Sequence, residues 1–326
     1  MRAVVLTEFG GPEVLCISEV PAPTPGPDEV LVSVRATALN RADLLERMGM
    51  YPNPFPADHQ IPGLEFAGIV ESVGPRVRDW KPGDAVMGIV GGGAYAEKLT
   101  IHERQAIRVP HGMSVNDAAA IPEVFITAWD ALVVQGGLTS GRTALVHAGA
   151  SGVGTAAIQI CRAIGARVVV TCSTSKIPAC RHLGADLIVD YSQTDFVDAV
   201  KTFTKGRGVD VVLDVVGGDY VDRNIACLAT KGSIVQVGTM AGPPPAVNVG
   251  ALMFKRARII GTVLRARPLD EKIAISRRFA EEVLPLFDSG ALKPVIDSRY
   301  PLDDIAKAHE HMGANANAGK IVIDVS

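Results

Sequence analysis

The chain has 326 residues, 48% hydrophobic and 21% charged, with 33 glycines and 21 prolines; this suits about two domains of roughly 150 residues and excludes fibrous, disordered and disulfide-stapled classes. Lysine and arginine total 32 against 35 aspartate and glutamate, a formal charge of -3, so no electrostatic reason exists to expect nucleic acid or an anionic membrane as a partner. No stretch reaches the ~18 uncharged apolar residues of a membrane span, and Ala3 to Leu6 is too short for a signal-peptide core, which makes the cytoplasm the expected location.

Residues 1 to about 120 are rich in proline and glycine and carry short β-branched runs, such as 30–34 and 68–73, which read as strands of an irregular β-rich domain. From 143 onward the texture changes. Near-continuous apolar runs at 143–147, 167–171, 186–190, 210–214 and 233–237 recur about every 20 residues, as strands buried on both faces do, and predict a parallel sheet covered by helices. Between the first two, residues 154–164 set Ala157, Ile158, Cys161 and Ile164 on one stripe, with Gly165 as a stop. A helix at 272–287, a strand at 294–296, a helix at 302–312 and a strand at 321–325 follow, the last expected to return to the first domain. Cys16, Cys161, Cys172, Cys180 and Cys227 are odd in number, widely spaced and without a C-x-x-C pair. They fit thiols of a reducing compartment better than a disulfide framework or a structural zinc lobe.

The stretch from Leu145 to Ala157 lies between a predicted strand and a predicted helix. Gly149, Ser151 and Gly154 occupy the three positions of G-x-G-x-x-G, with serine at the middle one, while Gly152 and Val153 supply backbone N–H groups at the helix start. A dinucleotide turn needs small residues there because the backbone bends sharply and approaches a pyrophosphate. After the second strand, where NAD enzymes place an acid on the ribose hydroxyls, this chain has Thr171-Cys172-Ser173-Thr174-Ser175-Lys176. Ser173, Ser175 and Lys176 suit a 2′-phosphate, so NADPH is the expected cofactor. Tyr191, after the third strand, is expected beside the adenosine end. His147 reads as a satisfied histidine next to the turn.

Gly63-Leu64-Glu65-Phe66-Ala67-Gly68 with Gly74 and Val77 resembles the G-H-E-x-x-G-x(5)-G-x-x-V signature of medium-chain dehydrogenases/reductases, leucine replacing the histidine. Residues 81–86, 38–44, 118–123, the 147–162 turn and helix, and the ending Gly319-Lys320-Ile321-Val322 add to the likeness. It spans essentially the whole chain and is greatest to the zinc-independent quinone oxidoreductase branch, in particular the p53-inducible quinone oxidoreductase subgroup. The resemblance implies an α/β fold: a Rossmann doubly wound parallel sheet at 122–262 plus a GroES-like β-rich catalytic domain at 1–121, to which 263–326 returns, with ligand between the two and a homodimer joined through residues 259–263. Zinc-containing members use the signature histidine and a cysteine near the position of Asn40; with Leu64 and Asn40 here, no metal ligand set is expected.

What the resemblance implies for activity is hydride transfer from NADPH to a small-molecule quinone or conjugated enone. Tyr51 is the candidate contact and proton donor for the substrate oxygen, and Asn40 the candidate partner of the nicotinamide or substrate. Thr127, Gly238 and Thr239 are expected near the nicotinamide ribose, Lys320 approaching the cofactor from the other domain, and Glu123 capping the linking helix. Two alternatives stay open: an NADPH-dependent enoyl-thioester reductase, and an NADPH-binding or RNA-binding protein with weak turnover, although no basic run or stacking aromatic cluster supports RNA.

Overall fold

The structure, a computed structural model, describes residues 1–54, 59–242 and 246–325. The chain divides into two compact units, one of Met1–Ile126 with Leu264–Ser326 and one of Thr127–Val263. Among the described residues no helix is long and apolar enough to cross a membrane.

The second unit is built on six parallel strands. In chain order they are Thr143–Val146, Arg167–Cys172, Leu187–Asp190, Val209–Asp214, Leu228–Gln236 and Arg258–Gly261, and in space they run third, second, first, fourth, fifth, sixth. Strand order therefore reverses between the first and fourth strands, which pair directly; in open α/β sheets ligands bind beyond the carboxyl ends of the strands at such a reversal. The first strand is buried throughout, as its unbroken apolar run requires when helices cover both faces. Leu145, Val169, Val212 and Ile234, from four neighbouring strands, share one core cluster with Phe196 and Ile225 of the covering helices. The helix after the first strand runs Gly152–Ala163, starting two residues earlier than its apolar stripe suggests.

In the first unit Arg2–Leu6 pairs with Leu15–Glu19, and a seven-stranded sheet carries the rest. Its long strand Glu29–Ala38 pairs antiparallel with Glu65–Val73, Lys98–His102 and Lys320–Asp324. The strand Lys320–Asp324 thus returns to the seven-stranded sheet of the first unit. Two boundaries differ from those expected. The strand near 294 begins at Ile296 and runs Ile296–Pro301, because Pro294 has no N–H to give a ladder. The helix expected over 272–287 is two, Leu269–Glu282 and Leu284–Asp288, because Pro285 cannot continue the first and suits the opening turn of the second.

The strand-to-helix turn leaves no room for an added methyl at Gly154, where a Cβ would meet the Ala148 carbonyl oxygen at 2.3 Å and Gly149 backbone at 2.6 Å. Gly154→Ala is therefore expected to destabilise the protein by about 1–3 kcal/mol through overpacking against backbone, read as a lower urea midpoint with the slope unchanged.

Candidate functional site

In the second unit the glycine-rich turn closes on the second strand. Gly149 donates its N–H to the Thr171 carbonyl at 2.9 Å, and a Cβ on Gly149 would strike Val170 at 2.6 Å. Ala148 adopts a φ of 55°, the left-handed conformation that turns the chain into the helix. Ser151 is the N-cap, its Oγ accepting from Gly154 N at 3.0 Å. The serine at the middle position thus fits the turn: its oxygen satisfies one orphan N–H. The first N–H groups of a helix have no intrahelical partner and carry the positive end of its dipole, so those of Gly152 and Val153 could hold an anion.

Three strand tips are tied together beneath this turn. Asp214 is fully buried; its Oδ1 accepts from Val216 N and Gly217 N at 2.7 and 3.0 Å, and its Oδ2 accepts from Asn224 Nδ2 at 2.9 Å. With the amide nitrogen of Asn224 so committed, its Oδ1 accepts a hydrogen bond from His147 Nε2–H at 2.7 Å, and His147 Nδ1 accepts from the Thr171 hydroxyl at 3.0 Å. Burial lowers the His147 pKa. His147 is a neutral, fully bonded link rather than an acid or base.

Around these tips lie most of the other expected cofactor residues. Ser173 N-caps a 3-10 turn over Thr174–Lys176, with Ser175 exposed and Lys176 half-buried. Thr174 Oγ1 donates to Asp190 Oδ2 at 2.5 Å, while Asp190 Oδ1 accepts from Ser192 N and Oγ. The third strand therefore brings a carboxylate to a loop that has no acid of its own. Tyr191 donates its N–H to Cys172 O and exposes 53% of its surface. Gly238 sits at the end of the fifth strand, its carbonyl accepting from Gln236 Nε2 at 2.5 Å, with Thr239 exposed beside it. Thr127 is buried in the second turn of the helix Pro122–Trp129 rather than at its start.

In the first unit the centre of the polar arrangement is Glu65, fully buried at the start of the strand Glu65–Val73. Its Oε1 receives Lys320 Nζ at 2.7 Å and Asn40 Nδ2 at 2.9 Å, and its Oε2 receives Glu123 N at 2.8 Å. Lys320 spends its other two ammonium hydrogens on Leu39 O at 2.5 Å and Asn40 Oδ1 at 2.7 Å. Expected to approach a cofactor, Lys320 instead has all three donors committed within this unit. Asn40 Nδ2 also reaches Ala38 O at 3.2 Å. Glu123 is the second residue of its helix, and the carboxylate that caps this helix is that of Glu65. Burial and the Glu65 charge push the Glu123 pKa up to about 8, with Lys320 opposing. Leu64 is buried and offers no donor.

Tyr51 does not join this cluster by a hydrogen bond but stands over a second one. Its ring is half-buried, and the Arg265 guanidinium carbon lies 5.3 Å from the ring centroid. Burial raises the phenol pKa against the pull of Arg265, and the Glu123 and Glu46 charges raise it further. Arg265 pairs with Glu46 at 2.7 Å, both side chains being nearly inaccessible. Neither residue belongs to a local motif; only a lone arginine in the apolar stretch 262–266 could have drawn notice.

Residues 152–284 match the family described as zinc-binding dehydrogenase, and 26–111 the alcohol dehydrogenase GroES-like domain. The human synaptic vesicle membrane protein VAT-1 homolog is 34% identical over 99% of this chain and 86% of its own length. Human quinone oxidoreductase is 30% identical over 99% of this chain and 97% of its own. The chain belongs to the medium-chain dehydrogenase/reductase superfamily. It is an oxidoreductase of that superfamily, with the Rossmann-like and GroES-like folds its motifs announce. Among solved structures, Escherichia coli quinone oxidoreductase complexed with NADPH superimposes with a TM-score of 0.89 at 30% identity, each chain covered completely.

The Glu123 carboxyl keeps its proton in the folded protein up to about pH 8, whereas an unfolded glutamate loses it near ~4.3. Across that window the folded state binds more protons, so this group's contribution to stability falls as pH rises. Melting curves of Glu123→Gln and the unsubstituted protein are expected to diverge in favour of the variant between pH 5 and pH 9, each kcal/mol appearing as about 2–4 °C. Parallel curves would refute the assignment.

Proposed function

We propose that the protein is a zinc-independent, NADPH-dependent reductase of quinones and conjugated enones. The observation that carries this reading is that the cation at the polar centre of the first unit is Lys320, with its ammonium against Asn40 Oδ1 and Glu65 Oε1. A catalytic zinc needs about three N, S or O ligands and an open position. Leu64 provides none, and the Asn40 and Glu65 oxygens already face an ammonium, so these residues do not fit the metal.

The second unit does fit a dinucleotide. The capped helix start at Ser151, Gly152 and Val153 would hold the pyrophosphate, with Gly149 and Gly154 permitting the close turn. Ser173, Ser175 and Lys176 would hold the 2′-phosphate, and Tyr191 the adenosine. Gly238, Thr239 and Thr127 would serve the nicotinamide ribose. NADPH, when bound, supplies a hydride; a relative solved with it supports this choice. A conjugated acceptor is already electron-poor, so the protein's task is orientation and delivery of a proton. Tyr51, whose raised pKa keeps its hydroxyl protonated, would contact the acceptor oxygen and donate to it. Asn40, its amide fixed by Lys320 and Glu65, would line the same acceptor.

We further propose a homodimer joined through the edge strand Arg258–Gly261. Ile259 and Val263 are exposed there, as are Met253 and Phe254 on the helix Val249–Lys255. The cytoplasm suits the chain, whose five cysteines are free thiols.

Absorbance of NADPH followed with 1,2-naphthoquinone, an alkenal and crotonyl-CoA, each with an NADH control, tests the activity. Oxidation by the quinone or alkenal is expected, preference for the thioester would shift the assignment to an enoyl-thioester reductase, and no oxidation would reject both. Tyr51→Phe should lower kcat at least ~10-fold if the hydroxyl donates. Lys176→Ala should erode the NADPH preference by ~2 kcal/mol, about 30-fold, through loss of a charge-assisted contact. Phe254→Ser with Ile259→Lys should shift the mass measured by light scattering from dimer to monomer.

A further inference from the structure

We infer that Arg265 is the positioning residue for Tyr51: keyed to Glu46, it fixes the backbone and the ring that carry the Tyr51 hydroxyl. The inference rests on the acceptor-binding role proposed above for Tyr51. Arg265 is 4% exposed, so it meets no substrate itself. Its planar head works in three directions: Nε donates to Gly91 O at 2.8 Å, Nη1 donates to Tyr51 O at 3.0 Å, and Nη2 lies 2.7 Å from Glu46 Oε1. The face of the Tyr51 ring takes the remaining side. The contact with Glu46 is an ion pair without hydrogen-bond geometry; no other side chain offers a rigid fork that donates to two carbonyls, faces a carboxylate and lies against an aromatic ring, whereas a lysine is a single point charge.

Glu46 sits on the helix Arg41–Arg47, which begins at Asn40. Tyr51 follows the same helix and donates its N–H to Leu45 O at 3.1 Å. The helix, Glu46, Arg265 and Tyr51 therefore form one frame, with Asn40 at one end and the phenol at the other. A buried ion pair is a poor source of stability compared with apolar residues of the same volume, but it dictates geometry. The charges facing the phenol come from three elements: Arg265 from the tail, Glu123 from the helix Pro122–Trp129, and Glu46 from the helix Arg41–Arg47, with Arg265 the largest.

The test pairs each Arg265 variant with the same variant carrying Tyr51→Phe, so that difference spectra isolate the Tyr51 phenolate. Arg265→Gln should move the Tyr51 titration upward, because a cation that favours the phenolate is gone. The Glu46→Gln, Arg265→Gln double variant leaves no charge of the pair unpartnered and guards against misfolding. It should move the titration the same way, since Arg265 outweighs Glu46. In turnover assays Arg265→Lys should lower kcat/KM for the acceptor ~10-fold while the NADPH Kd stays within ~2-fold; in the Tyr51→Phe background the same change should cost less than ~2-fold, the non-additivity of residues acting as a unit. An unmoved phenol titration, or an equal loss in both backgrounds, overturns the inference. Should the unsubstituted protein reduce no acceptor, the activity proposal fails, and the titration alone decides whether Arg265 governs Tyr51.

Discussion

A carboxylate without solvent must be neutralised and hydrogen-bonded by its surroundings, or it gives up its charge. Glu65 imposes that demand on the first unit, and three segments converge to meet it. The terminal strand brings Lys320, the segment leading into the helix Arg41–Arg47 brings Asn40, and the helix Pro122–Trp129 presents the N–H of Glu123. The backbone of Glu65 is held separately: the Thr37 hydroxyl, on the strand Glu29–Ala38, donates to its carbonyl at 2.6 Å. Return of the chain's last strand to the first sheet is thus an electrostatic requirement as well as a hydrophobic one: without Lys320 the carboxylate would lose its counter-charge. A neighbouring acid is less well served: its own burial and the Glu46 charge raise Asp43 to about 7, against the lowering pull of Asn40 N at 2.7 Å, of Lys320 and of the Tyr95 hydroxyl at 3.0 Å.

The second unit solves a related problem with neutral groups. Asp214 is satisfied by two backbone N–H groups and Asn224, and the chain of bonds runs on through His147 to Thr171. Each donor dictates the orientation of the next, so the amide and the imidazole tautomer are both fixed. Cooperative networks of this kind are rigid when complete and costly when one member is lost. The chain aligns the carboxyl ends of the first, second and fourth strands, where the glycine-rich turn presents its N–H groups. Preorganised anion sites need such rigidity, because the dipoles must already point correctly before any phosphate arrives.

What could be read from the residues followed from local periodicity and local sterics. Apolar runs announce strands covered on both faces, and the Gly149–Gly154 spacing announces a turn between strand and helix, because both are properties of a few consecutive residues. His147 next to the turn was expected to be satisfied, and it is. The relations that escaped connect residues hundreds of positions apart: Lys320 with Asn40, separated by 280 residues, and Arg265 with Tyr51, separated by 214. No window contains both members, and the ammonium of Lys320 could as well have faced a ligand. The carboxylate of Asp190 beside Thr174 escaped for a similar reason, since parallel strands set adjacent tips that belong to different loops.

The identity of the central cation has a chemical consequence. A metal ion with an open coordination position is a Lewis acid that can polarise an unactivated carbonyl. An ammonium whose three hydrogens already serve Leu39, Asn40 and Glu65 offers no comparable vacancy, and its charge is spent on a buried carboxylate. On the proposed reading, activation comes from the acceptor's own conjugation, while the protein contributes geometry and a proton. Geometry is what two buried ion pairs of this unit provide: Lys320 with Glu65 fixes Asn40, and Arg265 with Glu46 fixes Tyr51. Both are anchored to one short helix, Asn40 at its start and Glu46 near its end, so any displacement of that helix would move both groups together. On the proposed reading, such a frame would suit flat acceptors set against the Tyr51 hydroxyl and lined by Asn40, the shape shared by quinones and conjugated enones.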